Sequence, residues 1–89
     1  MSVEIRMYGD LAEESALDRI VVEAETGTTV GRILAQVKGA GKLLFTGDGE
    51  LSPEINVLLN GRSVRGLQGL ATPVGDGDRV HILRAFGGG

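Results

Sequence analysis

Eighty-nine residues, 42% of them hydrophobic, suffice for one small core, so a single domain with no structural cofactor is expected. There is no cysteine and only one histidine, His81, which excludes a disulfide framework, thiolate-bound zinc, an iron–sulfur cluster and a cysteine nucleophile, and argues against a histidine metal site. Twelve acidic against nine basic residues give a formal charge of -3, which argues against a general nucleic-acid or anionic-membrane binder. No apolar run approaches the roughly 18 residues of a membrane span, and Met1-Ser2-Val3-Glu4-Ile5-Arg6 lacks the basic-then-apolar pattern of an export signal, so a cytoplasmic protein is expected.

In chain order, Val3, Ile5 and Met7 alternate with Glu4, Arg6 and Tyr8, the period of a strand buried on one face. A polar segment, Gly9 to Arg19, follows; then Ile20, Val22 and Ala24 alternate with Val21, Glu23 and Glu25, predicting a second strand and a first hairpin. Thr28 or Thr29 can cap a helix whose apolar stripe is Val30, Ile33, Leu34 and Val37, with Gly39 and Gly41 as its stop. Leu43, Leu44 and Phe45 form an apolar patch expected to close over the core, and Thr46-Gly47-Asp48-Gly49-Glu50 reads as a polar loop. Ile55, Val57 and Leu59 resume strand alternation, and Asn60-Gly61 is a strong hairpin signal because both residues tolerate positive φ. Arg62 to Arg65 is the expected return strand. Gly66 to Val74 carries turn chemistry, Gly75-Asp76-Gly77-Asp78 a tight turn, and Arg79 to Ala85 a last strand.

Two strands, one helix and further strands, the last ending the domain, suit an α+β fold in which a mixed sheet of four to five strands packs on one main helix. That is the ubiquitin-like β-grasp arrangement. Glu4, Arg6, Glu23 and Glu25 would decorate the face turned away from the helix. The expected division is a β-grasp domain over residues 1–86 and a flexible C-terminal tail over residues 87–89. Phe86-Gly87-Gly88-Gly89 stands directly behind the last strand. Glycine has no Cβ, so such a tail can thread a narrow channel and leave its last carbonyl open to attack from either side.

The stretches Ile55-Asn56-Val57-Leu58-Leu59-Asn60-Gly61-Arg62-Ser63-Val64-Arg65, Gly69-Leu70-Ala71-Thr72-Pro73-Val74 and Asp76-Gly77-Asp78-Arg79-Val80-His81-Ile82 resemble the MoaD/ThiS family of ubiquitin-like sulfur carriers. With the N-terminal strands and helix in matching order, the resemblance covers nearly the whole chain. It implies a protein-sized substrate, not an enzyme, with no catalytic residues and no bound cofactor of its own. By the same resemblance, a ubiquitin-activating-type adenylyltransferase uses ATP to adenylate the carboxylate of Gly89. A persulfide or sulfide donor then converts it to a thiocarboxylate, and an acceptor enzyme such as the molybdopterin synthase large subunit receives the sulfur. Gly88 and Gly89 are the implied functional pair; Gly87 makes the tail a triple glycine, one more than the family's usual doublet, and adds up to about 3.5 Å of reach. Tyr8, Leu58, Leu83 and Phe86 are the implied apolar docking residues.

Length and the Asn-Gly to Asp-Gly-Asp pattern place the resemblance nearer the molybdopterin synthase small subunit than the thiamin carriers. Thiamin, cysteine and transfer-RNA sulfur pathways stay open, as does a protein modifier joined through Gly89 to target lysines, or a plain interaction module with an inert tail. Arg62, Arg65, Arg79 and Arg84 lie on the final hairpins and suit either solvated strand edges or a docking patch for an acidic partner. Lys38-Gly39-Ala40-Gly41-Lys42 is a poor phosphate loop, with Gln36 where its first glycine belongs and Leu43 where its hydroxyl residue belongs. Asp48-Gly49-Glu50 and Asp76-Gly77-Asp78 lack the donor spacing of a calcium loop and read as turns. His81 has no orienting carboxylate near it in sequence and reads as a structural or surface residue.

Overall fold

The computed structural model describes residues 1–15, 18–37 and 41–84. The five strands are β1 (Ser2–Met7), β2 (Arg19–Glu23), β3 (Ile55–Leu59), β4 (Arg62–Ser63) and β5 (Arg79–Arg84), in the sheet order β2-β1-β5-β3-β4. β1 and β5 run parallel at the centre, Ile5 against Val80 and Arg6 against His81, and every other pairing is antiparallel. The last strand is therefore held on both sides by ladders, not left at an edge.

Period-two alternation sorts the strand residues into two faces. Val3, Ile5 and Met7 of β1, Val22 of β2, Ile55, Val57 and Leu59 of β3, and Val80 and Ile82 of β5 are buried on the inner face. Across it lies the helix α2 (Val30–Ala35), whose buried residues Val30, Ile33 and Leu34, with Val37 just beyond its end, form the expected stripe. Each such side chain contributes about 1.5–3 kcal/mol on burial, so this interdigitation is the main force closing the sheet over the helix. Thr29 is the N-cap: its backbone is extended and its Oγ1 accepts from the N–H of Arg32 at 3.4 Å. Gly31 lets α2 approach the chain closely, because a Cβ there would stand 3.1 Å from Leu70 Cβ and 3.2 Å from its carbonyl oxygen.

Three sequence expectations are corrected. The polar segment between the first strands contains a helix, α1 (Gly9–Ser15), so β1 and β2 pair antiparallel as expected but are joined through a helical turn. Among its described side chains Leu11 is the fully buried anchor, with Ala12 partly buried against the core, and two adjacent apolar residues leave no helical stripe to read. Gly41 does not stop α2; it opens a one-turn helix, α3 (Gly41–Leu44), that carries Leu44 into the core, while α2 is capped at Gln36. Gly39 lies outside the described residues. The return strand is only Arg62–Ser63, because the chain turns into a 3₁₀ segment (Val64–Gly66) that drives Val64 into the core. A second 3₁₀ segment (Gly69–Ala71) stands in the expected turn region. Phe45 is half-buried and packs against the core, bridging to Leu51.

The turn readings hold. Asn60 (φ 52) and Gly61 (φ 88) make the β3–β4 reversal, which needs positive φ at both positions. Asn60 also reaches β5: its Nδ2 donates to Asp78 Oδ1 at 3.0 Å and its Oδ1 accepts from the N–H of Arg79 at 2.9 Å. Asp78 Oδ2 accepts from the N–H of Gly75 at 2.7 Å, and Asp76 Oδ1 from the N–H of Ser2 at 2.7 Å. Thr46 Oγ1 donates to Asp48, which also accepts from the N–H of Glu50 and whose carboxyl is held below its ordinary pKa by these two donors. Asp48 thus bonds within its own turn, whereas Asp76 and Asp78 also tie their turn to β1 and to the β3–β4 reversal.

Candidate functional site

The face of the sheet turned away from α2 carries the exposed chemistry. The strand registers place Arg19, Arg6, His81, Leu58 and Ser63 in one row across all five strands, with Val21, Glu4 and Arg79 in the next. Leu83 lies opposite Asn56, and the N–H of Tyr8 donates to the carbonyl of Ile82, which sets Tyr8 beside the upper end of β5. The Tyr8 hydroxyl stands 2.7 Å from His81 Nδ1, and the two rings stack with centroids 5.8 Å apart. The hydroxyl donates when Nδ1 is unprotonated.

Three of the four expected apolar docking residues, Tyr8, Leu58 and Leu83, are thereby gathered on one face; Phe86 lies outside the described residues. Tyr8 is 39% exposed, whereas Leu58 and Leu83 are half-buried by neighbouring side chains. His81, half-buried, sits between them, and the Tyr8 hydroxyl is its hydrogen-bond partner.

The four arginines separate by their partners. Arg84 Nη2 donates to Glu14 at 2.9 Å and Nη1 to Glu54 at 3.1 Å, while Nε lies 3.5 Å from the Asp10 carboxylate without a well-formed hydrogen bond. Arg84 thus ties α1 and the approach to β3 to the end of β5. Arg65 Nη2 donates to the carbonyls of Ser52 and Ile55 at 2.8 and 2.9 Å, fastening the segment before β3. These two guanidinium groups bind within the domain. Arg62 and Arg79 are exposed, and Arg79 lines an open cleft of about 450 Å3 with Glu4, Arg6, Arg19 and His81.

Arg6 and Arg19 escaped the sequence reading as site residues, although the alternation that turns Ile5 and Ile20 inward also turns both outward. Glu4 lies between them: Arg19 Nε is 3.3 Å and Arg6 Nε 2.9 Å from its carboxylate. Hydrogen bonding from Arg19, then the charges of Arg19 and Arg6, holds the Glu4 carboxyl below its ordinary range despite partial burial. The Arg6 guanidinium is in turn held more firmly protonated by the Tyr8 hydroxyl and by Glu4. One carboxylate against three arginines leaves this cleft positive on a chain whose formal charge is -3. The whole face can therefore receive a partner that offers apolar side chains beside carboxylates.

Gly87, Gly88 and Gly89 lie outside the described residues. Arg84 holds the described end of the central strand, next to Leu83 on the outer face and tied to Glu14 and Glu54.

A mixed five-stranded sheet wrapped on one main helix, with the final strand at its centre, defines a ubiquitin-like β-grasp protein. Among solved structures, the crystal structure of SAMP1 from Haloferax volcanii superposes with a TM-score of 0.85, 29% identity and full coverage of both chains. The ThiS family model matches residues 5–89, and the chain belongs to that family. Its relatives include small archaeal modifier protein 3 of Haloferax volcanii, 35% identical over 94 residues and spanning 100% of both chains. They also include a protein of Archaeoglobus fulgidus named by inference as a sulfur carrier, 33% identical over 90 residues and again spanning 100% of both. The family is one of small ubiquitin-like carriers and modifiers. Among the described residues no helix is long and apolar enough to cross a membrane.

Proposed function

We propose that this chain is a sulfur carrier that works through the carboxylate of Gly89, with molybdenum cofactor assembly as the leading pathway. The observation that carries the reading is the family match running through the glycine tail, behind a strand clamped on both sides by ladders. A strand held on both sides, followed after Ala85 and Phe86 by three residues without side chains, offers one acyl group to an enzyme while the body docks elsewhere.

The chemistry belongs to partners. A free carboxylate is a poor electrophile, so a ubiquitin-activating-type adenylyltransferase joins Gly89 to AMP from ATP and releases pyrophosphate. Sulfide attacks the acyl carbonyl and AMP departs, leaving the thiocarboxylate; a persulfide donor leaves an acyl disulfide, which a second thiol reduces to the same product. The acceptor enzyme, of the kind of the molybdopterin synthase large subunit, takes the sulfur, and water supplies the oxygen that restores the Gly89 carboxylate. Tyr8, Leu58 and Leu83, with Phe86 near the tail, supply the apolar docking contacts. Arg79 with Arg6 and Arg19 supplies the charge, Arg62 extends it toward β4, and Arg65 and Arg84 hold the frame.

The resemblance of the whole chain to a named modifier favours a second reading: an amine of a target lysine attacks the same adenylate, forming an isopeptide through Gly89. Both readings share activation and differ in the nucleophile. Removal of Gly88 and Gly89 is the first test. The shortened chain is expected to keep its thermal unfolding transition and its affinity for the activating enzyme within about threefold, yet to take up no AMP and no sulfur. Uptake by the shortened chain would end this proposal.

A further inference from the structure

Among the described residues β2 is the end strand of the sheet, with β1 as its only strand neighbour. Their register pairs residues whose numbers sum to 25, and the N–H of Met7 donates to the carbonyl of Asp18, while the N–H of Ala24 donates to that of Met1. In an antiparallel ladder, mutually bonded pairs alternate with unbonded ones. Residues 18, 20, 22 and 24 therefore turn their backbone groups toward β1, and Arg19, Val21 and Glu23 turn theirs outward. Three N–H and three C=O groups line the open edge. The opposite edge, β4, has only two residues.

The edge is also its own complement. β2 reads Arg19-Ile20-Val21-Val22-Glu23, and a two-fold axis through Val21 sets Val21 against Val21 of a second copy, Arg19 against Glu23, and Ile20 against Val22. The outward backbone groups then form three mutually bonded pairs, and both ends of the strand gain an opposite-charge pair. Val21 is 51% exposed, unusual for a valine in this domain, and Ile20 is half-buried, so both have surface left to cover. The side chains of Arg19 and Glu23 are 55% and 80% exposed, which leaves both able to take a second partner. Beyond Glu23 the chain borders an open groove of about 520 Å3 lined by Ala24, Thr26, Thr28 and Arg32.

We infer that β2 is a self-association edge, and that two copies of this chain join through it into one continuous ten-stranded sheet with two-fold symmetry. A five-residue edge buries less than a stable dimer needs, so the association is weak and concentration-dependent. It leaves β5, three strands inside each half of the joined sheet, uninvolved, and does not depend on what the tail carries.

The test uses the full chain, 15N-labelled, at about 0.15 M salt to screen the repulsion between two acidic copies. Amide shifts and translational diffusion are followed from about 20 μM to about 2 mM, the range of a weak interface. The expected result is concentration-dependent shifts centred on Arg19 to Glu23, with diffusion slowing toward a dimer. Arg19→Glu and Glu23→Arg should each weaken association about tenfold or more, because each sets like charges opposite one another at both ends. An equimolar mixture of the two variants should associate more tightly than either alone, since the mixed pair restores opposite charges. A monomer throughout the range, shifts mapping to another surface, or a mixture no tighter than its components would overturn the inference. Should a variant fail to fold, the wild-type shift map still decides.

Discussion

Arg84 joins three segments through one side chain, and its removal tests how the base of the tail is held. Its side chain is 28% exposed, and its guanidinium meets Glu14 at 2.9 Å, Glu54 at 3.1 Å and Asp10 at 3.5 Å. A partly exposed pair is worth about 0.2–1 kcal/mol, and the Asp10 pair, without a good hydrogen bond, belongs at the low end. Arg84→Ala should therefore cost about 1–2 kcal/mol, part of it from leaving three carboxylates facing one another. In a domain of this size that lowers the unfolding midpoint by about 4–16 °C. Arg84→Lys should recover only part of the loss, because an ammonium lacks the fork that serves two carboxylates at once. Urea unfolding at low salt and at about 1 M NaCl measures the effect; the difference between wild type and Arg84→Ala should shrink by half or more where the Debye length falls to about 3 Å. A loss under about 0.3 kcal/mol, or one equally large in high salt, would refute the assignment of Arg84 as an electrostatic clamp.

Asn60→Ala removes two side-chain hydrogen bonds to the Asp78-Arg79 segment and puts a Cβ-bearing residue without a compensating polar group at φ 52. It should cost about 2–4 kcal/mol, and Asn60→Gly, which relieves the backbone, about 1–2 kcal/mol; equal losses in urea titrations would show that the backbone contributes nothing. Glu4 has its carboxyl pKa lowered in the folded state by Arg19 and Arg6, so its contribution is present above the ordinary value of 4.5 and is lost as pH falls through the lower folded value. Wild type should exceed Glu4→Gln in stability at pH 7 and converge with it in acid, where a gap that widens would reverse the sign. Leu58→Asp sets a carboxylate beside His81 at the centre of the outer face and should weaken binding of the activating enzyme about tenfold or more without unfolding the domain, as calorimetry and circular dichroism would report.

Much of the fold could be read because burial here follows simple periods. The alternation around Ile5, Val57 and Val80 and the stripe through Val30, Ile33 and Leu34 each describe one face of one element, and the Asn60-Gly61 reversal has few sterically permitted alternatives. What escaped depends on single residues or distant partners. α1 is anchored by Leu11, the shortened β4 by the inward turn of Val64, and neither produces a period. Of the candidate site, the gathering of Tyr8, Leu58 and Leu83 on one face follows from strand parity once the register is known. The division of the arginines does not: Arg65 and Arg84 are distinguished from Arg79 by carbonyls and carboxylates 10 to 70 positions away in the chain. Arg6 and Arg19 were within reach of the sequence, since their outward parity is fixed by Ile5 and Ile20, but their convergence on Glu4 required the β1–β2 register.

The central claim is that Gly89 becomes an acyl donor loaded with sulfur, and intact mass spectrometry of the chain isolated from its own cells tests it most directly. Exchange of one carboxylate oxygen for sulfur adds about 16 Da, and the gain should be captured by a thiol-specific alkylating reagent at a chain with no cysteine, which separates it from methionine oxidation. A chain that stays at its unmodified mass, or whose 16 Da gain resists alkylation and maps to Met1 or Met7, would contradict the account.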